Sequence, residues 1–248
     1  MKLALIADIH SNIEAFDACL AHARDRGAQR FALLGDLVGY NADPVAVVAR
    51  AMQLVEAGAA VAVQGNHDAA AAGDVSERMN EAAAAAIRWT QRQLAPHQAD
   101  FLRSLPLVLR EGSVCLVHAS AAAPERWVYV MDTRAAAASL DAAESPYVFC
   151  GHVHDPLLYY MGADRRPQPF LPVAGISIPV ARHRRWLSIV GSCGQPRDGD
   201  PRARYALFDI DRALLTFHRI DYDQATAAGK VRRAGLPEEF ARRLESGR

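Results

Sequence analysis

An excess of charge of either sign is missing from this sequence. Its 28 Lys and Arg balance 28 Asp and Glu, for a formal net charge of 0. No overall field therefore draws the chain to a nucleic-acid duplex or an anionic membrane surface, and neither is an expected partner. Long apolar runs are also lacking: none approaches the roughly 18–20 residues that a membrane-spanning helix needs. The opening stretch MKLALIADIH meets Asp8 too early for a secretory signal. Cysteine is sparse, and the four present (Cys19, Cys115, Cys150, Cys193) form no C-x-x-C pair. Cys115 and Cys150 lie in apolar runs and read as buried thiols, which suits a reducing, cytoplasmic setting.

Several nucleophile motifs are absent as well. There is no G-x-S-x-G elbow and no G-x-x-x-x-G-K-[ST] loop, so serine-hydrolase and P-loop NTPase chemistry lack their residues. No cysteine has Arg six positions on, and position 199, six beyond Cys193, is Gly. A C-x₅-R cysteine phosphatase is excluded with it.

What the sequence does contain is alternation. Apolar runs at 2–8, 30–36, 59–64, 113–120 and 147–152 read as strands, with helical patterns at 12–26, 44–57, 80–95 and 133–143 between them. Pro44 stands at the start of the second helix and Gly58 just past its end. Such alternation predicts parallel strands covered by helices. After residue 155, short runs at 157–161, 173–180, 186–190, 204–210 and 213–220 predict antiparallel strands, followed by a helix at 236–246. The expected architecture is α/β, α+β by some schemes. It is a four-layer αββα sandwich of two mixed sheets flanked by helices, in one domain over 1–248.

The exits of these strands carry short polar groups. The first ends in ADIH (Asp8, His10), the second in GDLVGY (Asp36) and the third in GNHD (Asn66, His67, Asp68). The run at 113–118 delivers His118, and GHVH delivers His152 and His154. Ligands in open α/β sheets gather beyond the carboxyl ends of strands, where all of these fall. In an extended segment i and i+2 share a side, so Asp8/His10 and His152/His154 are each expected to aim into one space. Gly35, Gly65 and Gly151 precede these polar residues and allow close backbone approach. A lone histidine or Gly-Asp turn is ordinarily structural; five such exits at one end of a sheet are not.

In this order, D-x-H, G-D-x-x-G, G-N-H-D, an isolated His and G-H-x-H resemble the calcineurin-like metallophosphoesterases, over about residues 3–210. The resemblance is greatest to their small bacterial and archaeal phosphodiesterase-like branch, which shares GDLVGY and a segment like GSCGQPRDGDPRA (191–203). It implies a dinuclear centre of Mn, Fe or Zn. Asp8, His10 and His154 would hold one ion, Asn66, His118 and His152 the other, and Asp36 would bridge them. A mixed N/O donor set without thiolate suits such metals. The implied activity is hydrolysis of a small phosphoester or nucleotide by a water held between the ions. His67 would serve as general acid or transition-state stabiliser. Asp68 would orient a histidine or cap the following helix.

Protein phosphatases of this superfamily carry G-D-x-V-D-R-G, and Gly39 and Tyr40 stand in the places of its second Asp and its Arg. That disfavours a Ser/Thr protein phosphatase. Tyr40, Asn41 and Arg197 are the candidate substrate contacts, and the segments 69–80 and 161–185 are expected to overhang the site. The alternatives are a catalytically silent scaffold on the same fold and, less favoured, a dinucleoside polyphosphate hydrolase. Self-association is neither required nor forbidden.

Overall fold

Apolar side chains alternate along the central strands, and the two faces they define organise the molecule. The structure, a computed structural model, describes residues 1–73 and 79–248. The first half of the chain forms β1 (Lys2–Ile6), α1 (Ile13–Asp25), β2 (Arg30–Leu33), α2 (Pro44–Glu56), β3 (Ala60–Ala62), α3 (Asn66–Ala72), α4 (Glu81–Gln93), α5 (Pro96–Ser104), β4 (Val108–Glu111) and β5 (Val114–Val117). There follow α6 (Thr133–Ala143), β6 (Tyr147–Cys150), β7 (Leu157–Met161), β8 (Pro167–Phe170), β9 (Ser177–Pro179), β10 (Arg185–Ile189), β11 (Ala203–Asp209), β12 (Leu214–Ile220), α7 (Gln224–Arg233) and α8 (Glu238–Ser246).

Two six-stranded sheets result, ordered β3-β2-β1-β11-β12-β9 and β4-β5-β6-β10-β7-β8. In the first, β1, β2 and β3 are parallel and the rest antiparallel. In the second, β5, β6 and β10 are parallel and flanked by antiparallel neighbours. Both sheets are mixed, as expected. The C-terminal strands are antiparallel except β10, which is parallel to β6 because the chain crosses back through β7–β9 before entering it.

Leu3, Leu5 and Ala7 face the second sheet and join Leu116, Phe149, Leu158, Trp186 and Phe208 in the layer between the sheets. Ala4 and Ile6 point the other way, onto Phe16 and Leu20 of α1 and Val47 and Val48 of α2. This period of two makes β1 the buried centre of the sandwich. The outer face of the second sheet (Cys115, Val148, Leu187, Ile189) is covered by Ala136, Leu140 and Ala143 of α6. The α7–α8 pair packs against Ala83 and Ala86 of α4 and against Tyr40.

Helix starts follow local chemistry. The Asn12 side chain accepts from Ala15 N at the start of α1, and Asp132 does the same for Ala135 N of α6. The helices α3, α5 and α7 and the strands β4 and β8 were not expected from the sequence. Residues 161–185, expected to overhang the site, instead contribute the edge strands β8 and β9. Of the other expected overhang, 69–80, residues 74–78 lie outside the described residues.

Since α6 covers that outer face with few large side chains, fully buried Leu140 should be costly to truncate. Leu140→Ala is expected to lower unfolding free energy by about 2–5 kcal/mol in urea denaturation. A change below about 1 kcal/mol would contradict this packing.

Candidate metal centre

The parallel strands β1 and β2 of one sheet and β5 and β6 of the other end at the same side of the sandwich. The chain leaves β1, β2 and β6 in left-handed turns: φ is positive at Asp8, His10, Asp36, His152 and His154. This corrects the expectation of extended i, i+2 pairs. His10 does join Asp8, but His152 and His154 diverge to opposite ends of the site. Left-handed backbone is uncommon outside glycine and concentrates at functional sites. Gly65 and Gly151 permit the close approach expected of them. A Cβ on Gly65 would stand 2.2 Å from Asp36 Oδ1, and one on Gly151 would stand 2.4 Å from Asp8 Oδ2.

Two donor groups converge. His154 Nε2 lies 3.6 Å from Asp8 Oδ1 and 3.1 Å from His10 Nε2. In the second group, His118 Nε2 lies 3.1 Å from His152 Nδ1 and 3.2 Å from Asn66 Oδ1. Asp36 Oδ2 stands between them, 3.7 Å from His10 Nε2 and 3.3 Å from His118 Nε2. Its other oxygen accepts the His67 backbone N–H at 2.8 Å. The His152 N–H reaches both Asp8 oxygens (3.1 and 3.0 Å), tying the groups together.

The outer ring nitrogens decide what these contacts mean. His10 Nδ1 donates to the Val38 carbonyl (3.1 Å), His118 Nδ1 to Leu34 (2.8 Å), His154 Nδ1 to Gln195 (2.7 Å) and His152 Nε2 to Trp127 (3.0 Å). A carbonyl accepts only, so each outer nitrogen carries the proton and a neutral ring presents a lone pair inward. Lone pairs 3.1 Å apart repel each other unless a cation or a proton sits between them. At metal–ligand distances of about 2.0–2.2 Å, neighbouring donors stand about 3.0–3.5 Å apart. The arrangement fits divalent metal, with the outer hydrogen bonds of a typical metal-binding histidine.

Electrostatics agree. Burial holds His10 and His154 well below the ordinary histidine range, and burial with nearby His118 lowers His152 to about 3. Burial pushes Asp8 up to about 7. Burial also opposes charge on Asp36 and His118, but each overcomes it through the other. Asp36 falls well below the carboxylate range, and His118 rises to about 9. A proton on the inner nitrogen of His118 thus does part of a cation's work and must leave when a cation binds.

His67 is differently placed. It is 4% exposed, its ring 4.5 Å from Tyr40 and 4.9 Å from His10. It is near enough to His10 and Asp36 to share an ion with them. Its Nδ1, however, is buried without a partner and packs on Gly39, where a Cβ would stand 2.3 Å away. Gly39 thus removes a carboxylate and makes room for the ring. For Asp68 the structure selects the capping alternative, and for Asn41 it corrects the expected role. Asp68 accepts from Gly65 N (2.9 Å) and Val38 N (3.2 Å), so it caps α3 and braces the β2 turn instead of orienting a histidine. Asn41 is 2% exposed and donates to the carbonyls of His10 (2.8 Å) and Gly194 (3.3 Å), bracing loops instead of lining a pocket.

Tyr40 stays at the site, edge-on to His10 at 4.6 Å, and Arg197 lies over its ring at 5.7 Å. Tyr129, not foreseen, stacks on His152 at 3.9 Å while 51% exposed. Gln195 was also missed, although it lies in the same segment as Arg197. The carbonyls of Leu34, Val38 and Trp127 leave no mark in sequence, because any residue supplies one.

The family model of the calcineurin-like phosphoesterase superfamily domain matches residues 1–213. The chain belongs to that superfamily. An uncharacterized protein of Methanocaldococcus jannaschii is 32% identical over 256 residues, covering 99% of this chain and 98% of its own. A metallophosphoesterase from Sphaerobacter thermophilus, 37% identical, superposes with a TM-score of 0.86 over 100% of this chain and 99% of its own. A hypothetical protein from Pyrococcus horikoshii shares the fold at a TM-score of 0.79 and 20% identity, covering 100% of this chain and 98% of its own.

Because His118 and Asp8 must shed protons, Mn²⁺ affinity should rise with pH by up to about tenfold per unit between pH 6 and 8. Calorimetric titration across that range checks this, and a flat profile would contradict it. Asp36→Asn should lower the occupancy of two metal sites together, read by elemental analysis; loss of one equivalent alone would remove Asp36 from its position between the groups.

Proposed function

We propose that the protein is a dinuclear metal-dependent hydrolase of small phosphoesters or nucleotides, acting as a phosphodiesterase or phosphatase. The observation supporting this reading most strongly is the four imidazoles tethered outward to carbonyls, with lone pairs facing inward around two carboxylates and an amide oxygen. Asp8, His10 and His154 would hold one ion, and Asn66, His118 and His152 the other, with Asp36 shared. Mn, Fe or Zn suits these donors. Bound there, the metal pair supplies an acidified water and a cationic clamp for phosphoryl oxygens.

The remaining chemistry belongs to the chain. Asp8 and Asp36 carry two negative charges between them, fewer than the positive charges two divalent ions would bring. The loaded site would therefore be locally positive in a protein of zero formal net charge and would attract a phosphate. His67 lies beside the first donor group with no carbonyl claiming its Nδ1, so its ring is free to carry a proton to the leaving oxygen or to donate to a phosphoryl oxygen. Tyr40 walls that side, its ring 4.5 Å from that of His67. Asn66 adds an oxygen donor without further negative charge. Four free, buried cysteines support a cytoplasmic setting, and among the described residues no helix is long and apolar enough to cross a membrane.

Hydrolysis of bis(p-nitrophenyl) phosphate by the Mn²⁺-loaded protein tests this reading. Metal-loaded protein inert toward monoesters, diesters and nucleotides would leave a scaffold on the same fold. His67→Ala should reduce turnover by about 10²-fold or more with metal content retained, as expected for a lost proton donor. Parallel loss of metal and activity would make His67 a ligand instead.

A further inference from the structure

Gln195, 0% exposed, serves two neighbourhoods at once. Its backbone carbonyl holds the metal-site residue His154. Its side-chain oxygen accepts from Arg197 Nη2 at 3.0 Å and from Arg243 Nη1 at 3.5 Å. Two guanidinium groups from distant parts of the chain thus meet on one neutral oxygen. The neighbouring arginines each have a carboxylate: Arg202 and Arg219 pair with Asp200, and Arg204 and Arg219 pair with Asp198. Among the described residues Arg197 and Arg243 have no carboxylate in ion-pair reach. Arg197 Nε and Gln195 Nε2 are buried donors without any partner. Burial and the charge of Arg197 both lower Arg243.

Like charges gathered over unsatisfied buried donors form a site that an anion would complete. An acidic residue at position 195 would have cancelled the pair; an amide leaves its charge available. The pair is next to the metal centre and separate from it. Arg197 lies over Tyr40, and the same ring touches His10 and His67 on the metal side and Phe240 of α8 behind, with ring centres 5.0 Å apart. Arg243 comes from α8, beyond the residues 1–213 that the family model matches.

We propose that Arg197 and Arg243 form a second anion subsite beside the metal pair, and that the substrate is a phosphoester carrying two phosphate groups, one at the metals and one on the guanidinium pair. This rests on the phosphoesterase reading and narrows its substrate class. A neighbouring phosphate of charge about −1.5 to −2 matches two guanidinium groups, whereas a singly charged or uncharged substituent would leave one unpaired.

The test titrates metal-loaded full-length protein, at fixed free Mn²⁺, with methylphosphonate and with methylenediphosphonate, neither of which needs turnover to bind. The diphosphonate should bind about tenfold or more tighter in the wild type, a gain expected of paired charges. That ratio should fall toward one in Arg243→Gln and recover in part in Arg243→Lys. Gln195→Glu, which places a carboxylate between the arginines, should collapse the ratio independently, so the outcome does not hang on one variant's folding. A ratio unchanged in both Arg243→Gln and Gln195→Glu overturns the subsite. Equal binding of the two probes by the wild type overturns it while leaving the phosphoesterase reading intact; failure of both probes to bind metal-loaded protein overturns that reading too.

Discussion

Two imidazole nitrogens 3.1 Å apart, each on a ring whose other nitrogen donates its N–H to a backbone carbonyl, rest together only around a cation or a shared proton. This juxtaposition occurs twice, at His10–His154 and at His118–His152. Everything distinctive about the molecule serves to hold it. The carbonyls of Leu34 and Val38 belong to the turn after β2, that of Trp127 to the loop after β5, and that of Gln195 to the loop after β10. Each ring is fixed by a different piece of backbone, and those pieces are fixed in turn by the sandwich. The sheets meet through Leu5, Phe149 and Phe208, so the strand ends of both sheets face one space. A repulsive cluster maintained this way is a cation site with its orientation work already done.

The arrangement carries a conformational cost. Five of the proposed ligand residues are left-handed, and each such non-glycine residue costs about 1–2 kcal/mol. Hydrogen bonds across the loops resist relaxation. The amides of Asp8, His10 and Ser11 bond the carbonyls of Gly35, Asp36 and Leu37, and Gly194 N and Ser192 Oγ both bond the Asp8 carbonyl. Asp68 and Asn41 belong to this bracing. Their buried polar atoms hold the turns in place, and the chemistry is left to their neighbours.

Much of this was legible in the sequence, because strands and polar exits have one-dimensional signatures. The sandwich, its mixed sheets and the meeting of seven donors at one end follow from apolar runs that stop at Asp, His or Gly-Asn. Backbone sign is not written that way. Reading Asp8/His10 and His152/His154 as extended pairs failed because strand geometry ends two residues before each. Asp68 stayed open between two roles, and Asn41 was misread, because a buried polar side chain next to a motif looks the same in sequence whether it faces substrate or an amide. Tyr129 and Gln195 were missed since each matters through a neighbour distant in sequence. Arg243 lies in a helix that reads from sequence as an ordinary charged surface segment, and only the packing of α8 on Tyr40 brings it to the site.

Anomalous diffraction from crystals grown with Mn²⁺ tests the central claim most directly. Two peaks are expected about 3.5–4 Å apart, one bounded by Asp8, His10 and His154 and the other by Asn66, His118 and His152, with an oxygen of Asp36 touching both. A cluster free of anomalous signal at saturating Mn²⁺, with the facing imidazoles turned away from each other, would contradict the account.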